Sequence, residues 1–335
     1  MLNMIEKPFR FLLQRSKNLL KLSETVQGLL YDLKNAEVFT NLIRHEEMLA
    51  DAVRVDNYHE AISRYINPDD IVIDLGTGTG ILSFFAAKQN PKKIYAVDHS
   101  EFIEVAEQIA SHNDIKNVHF VKSNSRDFDP GEKVDVILHE QIGSELFNEN
   151  MIENILDLKK RLLKDGGRIL PSKFDFFIEP VSYIREYRYP YIWQQKINGV
   201  DFSCLKNFDQ IEKYKRDSYS QRWMPASAFD YFLCEPEAVM SFDLEKLETT
   251  NDLPSLISAS KRVIRSGQMD ALCIYFRVIF DDEISFDTSP FHTHTSWRNL
   301  VLRVDSKNFE AGENIEYEIN MIDITNTETW TISIK

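Results

Sequence analysis

From Ile71 to Leu163 the chain alternates short apolar runs with longer amphipathic ones. The short runs are Ile71 to Asp74, Ile94 to Asp98, Val118 to Lys122 and Val134 to His139; the others, Ile81 to Lys88, Phe102 to His112 and Met151 to Leu163, have helical spacing. Strand, helix, strand at this pitch builds parallel βαβ units, because each crossover returns over a face of the sheet through a helix. The pattern therefore predicts an α/β fold, a doubly wound domain with helices on both faces. Beyond Pro171 the texture changes to short aromatic and β-branched runs, Ala271 to Phe280, Leu300 to Val304, Ile315 to Ile324 and Trp330 to Ile334. These predict a second, mostly antiparallel β barrel-like domain.

This reading divides the 335 residues into an N-terminal helical segment at 1–34, the α/β domain at 35–171 and the β domain at 172–335. The β domain carries an irregular, partly helical insertion at about 183–233, rich in Tyr, Trp, Lys and Arg. Leu12, Leu19, Leu22, Val26, Leu29 and Leu33 keep the spacing of an apolar helix face, and a second helical stretch runs from His45 to Tyr65.

Charge narrows the partners. A formal net charge of −14, from 39 basic and 53 acidic residues, repels a phosphate backbone, so no nucleic-acid partner is expected. Cys204, Cys234 and Cys273 are too widely spaced for a metal-ligand cluster and odd in number, which argues against metal and disulfide frameworks and for a reducing cytoplasm. Glu6, Lys7, Arg10, Arg15 and Lys17 interrupt any signal-peptide core. With no uncharged apolar run of about 18 residues, no membrane association is expected.

The segment Asp74-Leu75-Gly76-Thr77-Gly78-Thr79-Gly80 follows a predicted strand and opens a predicted helix. Glycines there permit a tight turn and let a ligand reach the backbone, which a Cβ would obstruct. The spacing is GxGxG followed by Ile81, so the dinucleotide fingerprint is not met, and no lysine follows for a P-loop. Asp98 closes the next strand, where a carboxylate can accept from both hydroxyls of a ribose. Together these point to a nucleoside-containing ligand without a pyrophosphate, and S-adenosylmethionine is the natural candidate. A further pair stands out: Glu140 ends the strand that runs to His139, and Glu149 follows nine residues later, before the helix near Met151. Strand ends are where ligands gather in open α/β sheets.

The segment from Val72 to Ala87, VIDLGTGTGILSFFAA, followed by YAVDHS, resembles the Rossmann-like methyltransferases and above all the protein arginine N-methyltransferase family. So do His45-Glu46-Glu47-Met48-Leu49 with Asp51, Val53, Arg54 and Tyr58, and the double-glutamate stretch from His139 to Met151. The resemblance runs from about residue 35 to about residue 320 and implies a Rossmann-like domain, a β barrel-like domain, and an arm around Tyr187 to Trp223 that forms a homodimer. It implies transfer of a methyl group from S-adenosylmethionine to an arginine guanidino nitrogen of a protein or peptide. Glu140 and Glu149 are then catalytic; His45, Arg54, Asp74, Gly76, Gly78, Asp98, Ser125 and Met151 bind the cofactor; Met48 and Trp297 bind substrate. By the same likeness, Arg54 pairs with the methionine carboxylate.

The sequence also departs from the family pattern. Arg126 stands where an acidic residue is usual, Gln141 and Ser144 stand where aromatics are usual, and Ser296 replaces the histidine of a Thr-His-Trp loop, with His292 and His294 nearby. A small guanidino metabolite, or another nucleophile, therefore remains an alternative acceptor. A catalytically silent binding homologue is a further alternative, against which the two intact glutamates argue.

Overall fold

The computed structural model describes residues 41–207 and 221–335. The expected N-terminal helix at 1–34 lies outside the described residues. The expected stretch from His45 to Tyr65 is two helices, α1 (Leu42–Ala50) and α2 (Ala52–Tyr65). They break at Asp51, whose carboxylate accepts from the Arg54 N–H and caps α2. Arg54, Tyr58, Ala61 and Ile62 are the buried residues of α2, the i, i+4, i+7 and i+8 stripe by which a helix docks.

Five parallel strands form the first sheet, β1 (Ile71–Leu75), β2 (Lys93–Asp98), β3 (Val118–Lys122), β4 (Val134–His139) and β5 (Leu163–Leu170), in the order β3-β2-β1-β4-β5. Every residue of β1 is buried, as a central strand covered on both faces requires. Helices α3 (Ile81–Ala87), α4 (Phe102–His112) and α5 (Met151–Leu162) make the crossovers. Lys159, Lys160 and Arg161 fill the last turn of α5, where cations complement the helix dipole.

After the cis Leu170–Pro171 bond, β6 (Lys173–Tyr183) begins an antiparallel domain. Its larger sheet has seven strands: β10 (Phe229–Phe232), β6, β13 (Gly267–Ile279), β15 (Asn299–Phe309) and β9 (Gln221–Met224) along its path, with β11 (Met240–Asp243) on β6 and β14 (Ser285–Asp287) on β13. A three-stranded sheet orders as β12 (Leu256–Arg262), β16 (Asn314–Asn320) and β17 (Thr331–Ile334). The Tyr317 hydroxyl ties the two sheets by donating to the Ile178 carbonyl.

Two expectations are corrected here. Among the described residues the strands do not close into a ring, so the domain is a pair of open antiparallel sheets rather than a barrel. The irregular insertion is also shorter than expected, because β9 and β10 belong to the larger sheet. Its described part, before residue 208, holds short 3₁₀ turns and a hairpin of β7 (Lys196–Ile197) and β8 (Val200–Asp201). No helix among the described residues is long and apolar enough to cross a membrane.

One apolar core runs through both domains, from Tyr58 and Ile62 to Tyr317 and Trp330. A buried ion pair crosses the sheet interface, with Lys261 Nζ 2.5 Å from Glu179 Oε1 and 2.9 Å from the Glu237 carbonyl. Burial pushes the Glu179 carboxyl up to about 7, with Lys261 opposing the rise.

Candidate active site

Three parallel strands end at one level. Leu75 pairs with Val97 on one side and with His139 on the other, so Gly76, Asp98 and Glu140 emerge together at the carboxyl edge of the sheet. Strand order reverses at this point, between β1 and β4, which is where an open α/β sheet leaves a crevice for ligands. The crevice is a cleft of about 950 Å³. His45, Met48 and Arg54 line it from α1 and α2, facing Gly76, Gly78, Asp98, Glu140 and Glu149. A second cavity of about 400 Å³ adjoins it, lined by Ser125 and sharing Gly76 and Asp98 with the first.

Backbone geometry explains the glycines. Gly76 and Gly78 have φ of 71° and 51°, a region that side chains disfavour. A Cβ on Gly78 would stand 3.1 Å from His45 Cε1, and the His45 ring is itself stacked on Phe102 at 3.8 Å. The Gly78 N–H donates to one oxygen of Asp98 and the Ser100 N–H to the other, both at 2.8 Å. This bare, fixed backbone with a carboxylate beside it fits the ribose of a nucleoside.

Asp74 does a different task from the one expected. It is fully buried beneath the loop and absent from the cleft wall. Its Oδ2 accepts from Thr77 Oγ1 (2.6 Å), Ser83 Oγ (2.7 Å) and the Ser83 N–H (3.0 Å). Burial raises its pKa and those hydrogen bonds oppose the rise. Asp74 braces the loop rather than touching what the loop holds.

At the far end of the cleft, Arg54 Nη1 lies 3.0 Å from Glu140 Oε1, with side-chain exposures of 8% and 20%. Charge is thus exchanged within the protein: the arginine expected to meet a carboxylate of the cofactor meets Glu140. Burial raises the Glu140 pKa and Arg54 opposes it. Glu149 is pushed up to about 8 by burial first, then by the carboxylates of Glu140 and Glu145. One guanidinium therefore faces several carboxylates, and the wall is short of positive charge.

Besides Asp74, and Ser125 in the second cavity, two more predicted residues are not on that wall. Met151 is fully buried in the core as the first residue of α5. Trp297 is stacked against Phe286, its Nε1 donates to the Ile142 carbonyl at 2.7 Å, and the Arg54 guanidinium carbon sits 5.3 Å from its ring centre. It backs Arg54 from behind. His292 is exposed and held by both oxygens of Asp287, and neither it nor the exposed His294 lines the cleft.

Asp51 was noted in sequence without a task, and the structure supplies one. Besides capping α2, it accepts from the Ser296 N–H at 2.6 Å, so the loop that carries Trp297 is anchored to the helix that carries Arg54. The signal was available in part, since Asp three residues before a helical residue is a capping pattern. Asn154 was missed as a cavity residue, whereas Gln141 was noted as a departure from the family's aromatics. Both line the second cavity, and Asn154 Nδ2 donates to Gln141 Oε1 at 3.3 Å.

Comparison with known proteins agrees with this arrangement. Residues 66–219 match a methyltransferase domain and residues 175–335 match the arginine methyltransferase oligomerization subdomain. Protein arginine N-methyltransferase 6 of Danio rerio is 32% identical over 277 residues, covering 80% of this chain and 78% of that protein. The probable protein arginine N-methyltransferase 1.2 of Arabidopsis thaliana is 30% identical over 271 residues, covering 78% and 70%. Among solved structures, the Trypanosoma brucei PRMT1 enzyme–prozyme heterotetrameric complex with AdoHcy aligns with a TM-score of 0.72 at 25% identity, covering 84% of this chain and 88% of that one. With the parallel sheet, the glycine loop and the paired glutamates in place, the chain belongs to the protein arginine N-methyltransferase family.

Proposed function

We propose that this chain methylates arginine in proteins or peptides with S-adenosylmethionine as methyl donor, and that the cleft at the β1/β4 edge is where it does so. One observation carries the assignment to this cleft: a guanidinium, that of Arg54, already sits 3.0 Å from Glu140, with Glu149 on the same wall. A wall that holds one guanidinium and keeps a second carboxylate beside it is chemically suited to another.

When bound, S-adenosylmethionine supplies a methyl carbon on a positively charged sulfur. Gly76, Gly78 and Asp98 hold its nucleoside part, His45 closes over it, and Arg54 offers the fork that suits a carboxylate. Ser125 lies in the adjoining cavity, whose lining would hold the nucleobase. Asp74, Met151 and Trp297 support this wall from behind.

Glu140 and Glu149 take the acceptor. Two cations about 4 Å apart repel by about 4 kcal/mol at an effective dielectric near 20, and the carboxylates offset that. Their hydrogen bonds fix the guanidinium plane and so aim one terminal nitrogen. Glu149 gives up its own proton when the guanidinium binds, and its carboxylate, pushed up to about 8 by burial and the neighbouring carboxylates, is then basic enough to receive the proton that nitrogen sheds. Met48 supplies an apolar wall for the acceptor's methylene chain.

The same reading takes residues 35–171 as the cofactor domain and 172–335 as the β domain, and it makes the protein a homodimer. Tyr189, Ile197 and Val200 are large apolar residues 54%, 50% and 59% exposed, which supports an arm that meets a second copy. Three free cysteines suit the cytoplasm. Incubation with labelled S-adenosylmethionine tests the function: arginine peptides should take up label and their lysine counterparts should not. Sedimentation velocity at micromolar concentration should show a dimer; a single monomer boundary would overturn that part.

A further inference from the structure

Glu140 is held by its backbone as well as by Arg54. The residue before it, His139, ends β4, is fully buried and is bonded twice. The Tyr58 hydroxyl donates to the His139 carbonyl at 3.0 Å, which fixes the peptide plane that leads into Glu140. The His139 ring makes the second bond, with Nε2 2.8 Å from the Pro171 carbonyl. A carbonyl can only accept, so Nε2 carries the hydrogen.

Both bonds lead to the β domain. Pro171 and Ser172 join β5 to β6, and the Ser172 carbonyl accepts from the Leu244 N–H, just beyond β11, at 2.8 Å. The Tyr58 ring meets Phe280 edge-on at 5.0 Å, one residue past β13. On α2, Tyr58 stands one turn after Arg54, and the two serve the same carboxylate. The guanidinium meets Glu140 directly, and the hydroxyl holds the backbone behind it.

An imidazole is a demanding choice for this place. Its Nδ1 is buried without a hydrogen-bond partner among the described residues, a burden that an apolar side chain would not bring. Burial lowers its pKa to about 4, against the opposing effect of the bond to Pro171. The ring is therefore neutral near pH 7 and exchanges no proton there. What it supplies is a single N–H, aimed at the junction between the two domains.

We propose that His139 is a positioning residue through which the β domain fixes Glu140: its bond to Pro171, with Tyr58 on its carbonyl, holds the end of β4 so that Glu140 meets the acceptor guanidinium in the geometry that transfer requires. The proposal rests on the functional reading above. A displacement of about 1 Å in such a group costs about a hundredfold in rate. The glycine loop and Asp98 stand at the ends of β1 and β2, which neither bond touches. The effect therefore falls on the acceptor and not on the cofactor.

The test measures peptide methylation and cofactor binding in the same variants of the full chain. His139→Leu, which removes the donor, should lower kcat/KM for an arginine peptide about ten- to hundredfold, by the same factor from pH 6 to 9, while the Kd of S-adenosylhomocysteine in calorimetry stays within about threefold of the parent's. His139→Gln, whose amide can place an N–H near the lost Nε2, should recover most of the activity. Tyr58→Phe removes only the bond to the carbonyl and should cost about tenfold in kcat/KM with the same unchanged Kd; it carries the test if His139→Leu does not fold. Parent-like activity in folded His139→Leu or in Tyr58→Phe, a Gln variant no better than the Leu one, or a Kd that weakens as much as kcat/KM falls overturns the proposal. If the parent itself labels no arginine peptide, the functional reading fails instead, so the two failures are distinct.

Discussion

Replacing Glu149 by Gln separates charge from shape at the acceptor end of the cleft. The Glu149 carboxyl is pushed up from 4.5 to about 8, so at pH 7 it carries a proton in roughly ten molecules for every one that lacks it. Binding a guanidinium against this group requires the proton to leave. At pH 7 that costs about 1.4 kcal/mol, and kcat/KM for an arginine peptide should rise about tenfold per pH unit toward pH 8 and level off above it. Glu149→Gln should abolish this rise, since the amide does not titrate. It should also lower kcat/KM by about 160-fold to several thousandfold, because a cation left with half its compensation costs about 3–5 kcal/mol. Stability moves the other way. A carboxyl whose folded pKa is raised contributes stability that is fully present below its unfolded value of 4.5 and is lost as pH rises through about 8, at about 1.4 kcal/mol per pH unit. The variant should therefore gain stability relative to the parent as pH goes from 5 to 8. Initial rates from pH 6 to 9, with denaturant melts of both proteins, decide the matter. Activity within about tenfold of the parent, the effect of an ordinary surface carboxylate, or an unchanged pH profile in the variant, would refute the reasoning.

Three further outcomes follow from other contacts. Gly78→Val should abolish S-adenosylhomocysteine binding in calorimetry, because a branched side chain would be strained at φ 51° and would meet His45; an unchanged Kd would mean that the loop is not the cradle. Asp51→Ala removes both the α2 cap and the acceptor for the Ser296 N–H, and should cost about 2–4 kcal/mol in a denaturant melt. Lys261→Met leaves Glu179 buried without its cation and should cost about 3–5 kcal/mol at pH 8. That loss should shrink at pH 6, where the Glu179 carboxyl is protonated, and Lys261→Met with Glu179→Leu should recover most of it; a loss independent of pH would show that packing, not charge, holds the pair.

The pairing of Arg54 with Glu140 gives these predictions unequal weight. Glu140→Gln would leave the Arg54 guanidinium, 8% exposed, without its carboxylate, so lost activity there would mix substrate, cofactor and folding effects. Glu149 is the cleaner probe. Trp297 matters to the same network, because its ring backs Arg54 while its loop hangs on Asp51.

Local pattern determined much of this protein. Alternation of apolar runs with helical spacing located all the strands and helices from Ile71 to Leu162, because burial periodicity is written within a few residues. The glycine loop, Asp98 and Glu140 were legible for a related reason: each lies at or beside a strand end, and strand ends in a parallel sheet face one crevice; Glu149 stands in the loop before α5, and the fold brings it to the same cleft. What sequence could not supply is which side of a backbone faces that crevice. Asp74 and Met151 sit in the right motifs yet point into the protein, because the hydroxyls of Thr77 and Ser83 and the packing of α5 claim them. Arg54 meets Glu140 across 86 residues, and the register of Leu75 against His139 that allows it belongs to strand pairing. The same holds for the open sheets of the second domain: closure depends on which edges find hydrogen-bond partners, a long-range choice that strand propensity does not encode and only the assembled tertiary structure decides.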